Sequence, residues 1–203
     1  LATKLDNINP EQIDTVFDKF EEMGVDILKD DFEEEPDLED LKEVEKVSTP
    51  KMRTIEEVSS FLNVDPKKTV KTLIYKADGK FVALLIRGDH EVNEEKVQKL
   101  LGVKELEMAS VEEDEQITGA KVGFAGPIGL NVEIIVDNAV LNMRNFLVGA
   151  NKTDYHYINV NLSDFKYDKV ADIRNVTEDD ICPKCGEKLV FRRGIEVGNT
   201  FKL

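Results

Sequence analysis

Residues 72–89 read TLIYKADGKFVALLIRGD. Two strand-like runs flank Ala77-Asp78-Gly79. A tight reversal between strands needs backbone with positive φ, which Asp and Gly adopt at least cost. The stretch is predicted to be a β-hairpin: TLIYK turns at Ala77-Asp78-Gly79 and returns as KFVALLIRG. The middle of the chain is thereby committed to a sheet, and the other elements must be arranged around it.

Helices are announced by their caps. TIEEVSSFLNV has Thr54 as cap and Glu57 three residues on, the pattern of a capping box. Asp65 caps a helical turn in DPKKTVKTL, and NEEKVQKLLG is an amphipathic helix ended by Gly102. ELEMAS is a short strand, VEEDEQITG a helix ended by Gly119, and NVEIIVD a strand. NAVLNMRNFLVGAN reads as a turn and a short helix. YHYINVN is a strand with Tyr155, Tyr157 and Asn159 on one face and His156, Ile158 and Val160 on the other. Residues 164–203 hold a loop, the turn CPKCG and the strand-like KLVFRRGIEVG. Upstream, Asn9 and Pro10 start a helix with Ile13, Val16, Phe17 and Phe20 at helical spacing. The acidic DDFEEEPDLEDLKEVEKVSTP follows as a linker with at most a loose helix near its end. This irregular mixture predicts an α+β fold around a mixed sheet, not a βαβ repeat.

The 203 residues carry a net charge of −15, unevenly spread. Residues 1–50 hold 17 acidic and 5 basic side chains, and residues 51–203 hold 25 and 22. The near-neutral body can therefore carry a local basic patch for nucleic acid. No apolar run approaches the roughly 20 residues of a membrane span, and the N-terminus has no apolar leader core. The expectation is a cytoplasmic protein with no membrane partner; without an initiator Met, it reads as a fragment or a processed chain. Cys182 and Cys185, in CPKCG, make half a zinc site, but a closed site needs four ligands, and His90 and His156 are far away in sequence. A knuckle remnant or a surface thiol pair is expected there, with no metal and no cofactor.

No GxSxG, HExxH or P-loop is present. Either the chain is not an enzyme, or its chemistry relies on backbone donors, positioning and the substrate itself. Four features bear on it. Lys71, where helix gives way to strand, is either a solvated edge lysine or a holder of phosphate or carboxylate. KVGFAGPIGL (121–130) is either a tight turn or a backbone cradle, with Gly123 to Pro127 as amide donors. Asp137 ends a strand and can cap the next turn. His156 lies between tyrosines on its strand and is either packed or catalytic.

Taken together, these stretches resemble a known family. MRTIEEVSSFLNVDPKKTVKTLIYKADGKFVALLIRGDHEVNEEKVQKLLG, TGAKVGFAGPIGL, DNAVLNMRNFLVGANKTDYHYINVN, ADIRNV and CPKCGEKLVFRRGIEVGNTFKL look like the insertion domain of bacterial-type prolyl-tRNA synthetase. The resemblance runs in order over about residues 43–203. The domain is similar to the YbaK-like aminoacyl-tRNA deacylases. The resemblance implies a YbaK-like mixed sheet and post-transfer editing, the hydrolysis of alanine mischarged onto the tRNA for proline. It implies catalytic roles for Lys71, Gly123, Asp137 and His156, and substrate contacts from Phe124, Ala125, Gly126, Pro127 and Gly149. Lys71 would hold the terminal adenosine, the GFAGP amides the aminoacyl carbonyl or the attacking water, and a ribose hydroxyl would assist. His156 and neighbouring walls would admit alanine and exclude proline.

Three segments are expected: an acidic appendage and linker at 1–46, the editing domain at 47–180, and a return segment at 181–203 toward an absent synthetase core. No class II motifs are found, so the chain should not charge tRNA. The family's second cysteine pair lies upstream of the insertion; residues 1–42 replace it here, which breaks any metal site built from both pairs. LDNINPEQIDTVFDKFEEMGVDIL also resembles the start of region 1.1 in primary sigma factors, with a generic acidic appendage as the other reading. The parent synthetase would be a homodimer, and this fragment is free to be monomeric. A non-catalytic tRNA- or protein-binding module of the same fold is the competing function; a third is a transcription-linked interaction protein acting through the N-terminal piece.

Overall fold

The structure is a computed structural model that describes residues 41–192 and Gly194. The predicted helix from Asn9, the acidic stretch up to residue 40 and the sigma-like resemblance lie outside the described residues, as does most of RGIEVGNTFKL. The described part belongs to one compact unit beginning at Leu41.

The hairpin forms as predicted. β2 (Val70–Ala77) and β3 (Lys80–Arg87) pair antiparallel from Val70↔Arg87 to Ala77↔Lys80. The turn between them has Asp78 at φ 44° and Gly79 at φ 82°, both positive as a two-residue primed turn requires. The Asp78 carboxylate also accepts from the amides of Lys104 and Glu105, at 3.1 and 2.9 Å. One residue thus turns the hairpin and anchors β4 (Leu106–Met108), which pairs with the end of β2. β5 (Glu133–Asp137) runs parallel to β3, and β8 (Lys169–Ala171) parallel to β5. The result is a mixed five-stranded sheet in the order β4-β2-β3-β5-β8.

β1 (Glu45–Ser48), β7 (Tyr155–Val160) and β6 (Phe146–Gly149) form a second, antiparallel sheet in the order β1-β7-β6. A parallel bridge between Thr69 and Leu147 links the two sheets. Val70, Ile74, Ala83, Leu85, Ile134 and Val136 pack against Phe146, Val148 and Val160 in a shared core. The other face of the large sheet, with Tyr75, Leu84, Ile86 and Ile135, buries Val97 of α2 (Glu94–Leu101). β3 is thereby covered on both sides, and Ala83 to Ile86 are all fully buried.

The capped helices appear where their caps stand. α1 (Ile55–Leu62) has the complete Thr54–Glu57 capping box, and Asp65 caps the 3-10 turn Pro66–Lys68. α2 ends at Gly102, and α3 (Val111–Thr118) ends at Gly119, both glycines in the left-handed conformation. Three strands differ from the sequence reading. Glu45–Ser48, expected in the linker, is an edge strand whose charged residues suit an exposed edge. Only Asn138–Leu141 (α4) of NAVLNMRNFLVGAN is helical. Phe146–Gly149 is the strand β6, buried at every position and so without the alternation that marks a half-buried strand. β8 is three residues long, in a stretch read as loop. Conversely, KLVFRRGIEVG shows a single bridge, Ile181↔Lys188, among its described residues. No helix among the described residues is long and apolar enough to cross a membrane.

Candidate active site

A cavity of about 240 Å³ lies where the N-terminus of α1, the first half of β2, α3, the 121–130 loop and strands β6 and β7 of the small sheet converge. β4 pairs only with Tyr75 to Ala77, so the start of β2 is free to line a recess. Lys71 and Thr72 come from β2, Asp114 from α3, Gly123 and Ala125 from the loop, Gly149 from β6 and His156 from β7. Arg53, Ile55, Val58, Val122 and Leu147 are among the other residues of its walls.

The loop is held, not flexible. Asn151 Oδ1 accepts from the Gly126 amide at 2.8 Å, and its Nδ2 donates to the carbonyls of Gly126 and Ile128 at 2.8 and 3.0 Å. The Asn151 amide also donates to the Phe124 carbonyl at 2.9 Å. The glycines serve close approach. A Cβ on Gly126 would sit 1.8 Å from the Gly149 carbonyl oxygen, and one on Gly149 only 2.2 Å from that of Ala125. Gly123, at φ +98°, lies against Arg53, whose carbonyl oxygen would be 2.7 Å from an added Cβ. Arg53 is fixed in turn because its amide donates to the Glu57 carboxylate of the capping box at 2.8 Å. Asn151→Ala is expected to destabilise the fold by about 2 kcal/mol, since it strands buried loop groups. Urea unfolding of the variant checks this.

His156 is 4% exposed. Burial pushes its pKa down to about 4, against a smaller upward pull from the Gly123 backbone. Its Nδ1 lies 2.6 Å from Thr49 Oγ1, and its ring packs on Phe124 with centroids 5.4 Å apart. The ring is therefore neutral near pH 7, and it supports Gly123 from below. Its folded-state pKa is depressed from 6.5 to about 4, so the unfolded chain binds this proton first. Stability contributed by the neutral ring is present above pH 6.5 and is lost as pH falls from about 6.5 to about 4, by up to about 3 kcal/mol. Denaturant melts of the wild type and His156→Gln across pH 4–8 check this, the difference between the curves being confined to that window.

Lys71 is half-buried. Desolvation pulls its amine down from the ordinary lysine value, while Glu91, Asp89 and Glu56 hold it up. Asp89 is itself paired with Arg87 through bonds of 2.6 and 2.8 Å. Among the described residues, no carboxylate comes within ion-pair distance of Lys71 Nζ, so its charge remains available at the cavity.

The structure thus brings Lys71, Gly123, Ala125, Gly149 and His156 to one cavity. Phe124, Gly126 and Pro127 are buried behind it, and the Gly126 amide is already bonded to Asn151. Asp137 does not line it. That carboxylate is 1% exposed; it caps α4 through the Ala139 amide at 2.9 Å and accepts from the Ile173 amide at 2.9 Å. It holds backbone in place, as the capping reading expected. Thr49, Arg53, Thr72, Asp114 and Asn151 were not singled out from sequence. Asp114 sits in an acidic helix that reads as a solvated face, and Thr72 in an ordinary strand. Both Cys182 and Cys185 thiols are free, and among the described residues no three metal-binding side chains gather to hold an ion.

A cavity lined by no serine or cysteine suits a substrate that is already activated. The profile of the aminoacyl-tRNA editing domain matches residues 49–167, more than half of the chain. The chain belongs to the aminoacyl-tRNA editing domain family. The family acts on tRNA as a deacylase, and every cavity residue falls within the matched segment. The Proline–tRNA ligase of Caldicellulosiruptor saccharolyticus is 61% identical over 166 residues, covering 81% of this chain and 29% of that protein. That of Thermoanaerobacter sp. (strain X514) is 57% identical over 171 residues, covering 82% and 30%. The chain therefore spans about three-tenths of the length of these relatives. A solved structure of a protein proposed to be a trans-editing enzyme for prolyl tRNA synthetase shares the fold. Its TM-score is 0.59 at 19% identity, over 84% of this chain and 100% of that one. The mixed α+β fold is that of the YbaK-like editing domains.

Proposed function

We propose that this editing domain hydrolyses the ester of alanine mischarged onto the tRNA for proline, as the editing part of a proline–tRNA ligase. The observation that carries the reading is the convergence of Lys71, Gly123, Ala125 and Gly149 on one small cavity whose lining has no serine or cysteine. An aminoacyl ester needs a placed water and support for the developing oxyanion more than it needs a nucleophile.

Lys71, with Arg53 at the edge of the cavity, holds the anionic and hydroxyl groups of the terminal adenosine. Among the described residues, no protein acceptor takes the amides of Gly123 or Ala125. These two, not Gly126, face the aminoacyl carbonyl. Water adds to that carbonyl, the bond to the ribose oxygen breaks, and alanine and a free ribose hydroxyl leave. A hydroxyl of the terminal ribose assists. Burial weakens His156 as a base; it positions Gly123 and closes the floor. Asp137 acts at a distance by fixing the end of β5.

Size sets specificity. A cavity of about 240 Å³ falls below the usual range of drug-sized pockets, about 300–1,000 Å³. Its apolar walls, Ile55, Val58 and Leu147, accept a methyl group and clash with the ring of proline. The domain works in the cytoplasm, where tRNA is charged, and is monomeric when separate from a dimeric synthetase. The test is hydrolysis of alanyl-tRNA for proline by the purified chain, with prolyl-tRNA as control. Release of alanine and not proline is the expected result; equal release of both would remove the size-selection argument.

A further inference from the structure

Two polar atoms at the cavity have no partner. Thr72 Oγ1 and Asp114 Oδ1 are both buried, and neither is hydrogen-bonded among the described residues. Both residues line the recess that holds Lys71, Gly123 and His156, and Thr72 is only 7% exposed. Buried polar atoms are nearly always bonded, and an orphan is costly unless something else satisfies it.

The local fold does not need them. Ser110 caps α3 by accepting from the Glu113 amide, and the Glu113 carboxylate accepts from the Ser110 amide and pairs with Lys76 at 2.8 Å. The Asp114 amide donates to the Ser110 carbonyl, its carbonyl accepts from Thr118 Oγ1, and the Thr118 hydroxyl also pulls on the carboxyl, leaving Oδ1 as the oxygen without a partner. No ion pair reaches its carboxylate among the described residues. Burial pushes the Asp114 carboxyl up from its ordinary value, and Glu115 pushes the same way against a pull from Thr118. A carboxylate in that condition is stabilised by an incoming cation.

We propose that Thr72 Oγ1 and Asp114 Oδ1 form the subsite for the free α-ammonium group of the aminoacyl ester. The inference rests on the deacylase reading of the cavity. An ammonium offers three donors, and these two atoms are acceptors in search of donors. The cavity's other charged groups, Lys71 and Arg53, are cations that repel an ammonium, and His156 is neutral. The carboxylate therefore orients the substrate: ammonium to Asp114, carbonyl to the Gly123 and Ala125 amides, ribose to Lys71. The subsite requires a free amine on the acyl group and is indifferent to the size of the side chain.

The test compares alanyl-tRNA for proline with lactyl-tRNA, the same ester with hydroxyl in place of ammonium. The wild-type chain is expected to favour the alanyl ester in kcat/KM. Asp114→Asn should lower the alanyl-to-lactyl ratio about 10-fold or more, mostly through KM, because a charge-assisted bond becomes a neutral one. Thr72→Val should move the ratio the same way by less. Equal losses on both esters, or an unchanged ratio, overturn the subsite and leave Asp114 a structural or general-base role. Should Asp114→Asn fail to fold, Thr72→Val and Asp114→Glu carry the same ratio measurement.

Binding of 3′-alanylamido-adenosine and its lactylamido counterpart, which cannot be hydrolysed, separates this inference from the parent reading. If the wild type cleaves neither ester, the deacylase reading falls. The subsite then survives only if the alanyl amide binds about 10-fold tighter in a manner dependent on Asp114, and it falls if the two amides bind alike.

Discussion

Lys71→Ala is expected to lower deacylation of alanyl-tRNA by about 10²- to 10³-fold, the usual effect of removing one preorganised electrostatic group from an active site. The fold should survive. Lys71 occupies a half-buried position in β2, and its amine makes no ion pair among the described residues. Burial depresses its amine while Glu91, Asp89 and Glu56 restore it, so the charge is maintained at some cost. A group kept charged in a recess, without a partner to neutralise it, is poised for an incoming anion. Lys71→Arg should not restore the rate, because the larger planar head cannot occupy the same space in a cavity of about 240 Å³. Single-turnover hydrolysis, alongside circular dichroism and melting of each variant, checks the expectation. Full activity in a folded Lys71→Ala protein would remove Lys71 from the mechanism.

The parts of this fold that could be read from sequence are those written in short-range chemistry. The Thr54–Glu57 box, the Asp78-Gly79 turn, and Gly102 and Gly119 after their helices each satisfy neighbouring backbone groups, so a few residues suffice to announce them. The strands that escaped notice owe their existence to distant partners. β6 is buried at all four positions because β7 and the shared core surround it, and nothing in FLVG records this. β1 exists through its pairing with β7, more than a hundred residues away, in a stretch whose charge suggests linker. The site divides in the same way. Lys71, Gly123 and His156 were marked by resemblance to a family, and their bland readings would have prevailed on local pattern alone. For Asp137 the bland reading describes what its carboxylate does in the fold. Thr72 and Asp114 left no trace in sequence, since only the assembled cavity reveals that their oxygens are without partners.

Gly149→Ala should be among the most damaging single methyls in the domain. Gly149 ends β6, buried, where the 121–130 loop crosses it. An added Cβ would lie 2.2 Å from the Ala125 carbonyl oxygen and 2.4 Å from that of Phe124. Both contacts are with backbone, so no side-chain rotation relieves them, and either β6 or the loop must move. The loop is stapled by Asn151 at Gly126 and Ile128, and β6 is held in the core by Phe146 and Val148. Overpacking that forces backbone shifts costs about 1–3 kcal/mol and sometimes more, and here two fixed segments must separate, so a loss of about 4 kcal/mol is expected. The displacement also moves Gly123 and Ala125, the amides assigned to the substrate carbonyl. A shift of 1 Å there should reduce hydrolysis about 100-fold even in molecules that remain folded. Gly129→Ala provides the contrast. That loop glycine has φ +78° but open space around its Cβ position, so only backbone strain of about 1 kcal/mol is expected. Urea melts and single-turnover rates on the two variants distinguish close approach from conformational freedom. Comparable losses at both positions would mean that the loop needs glycine for its dihedral angles alone.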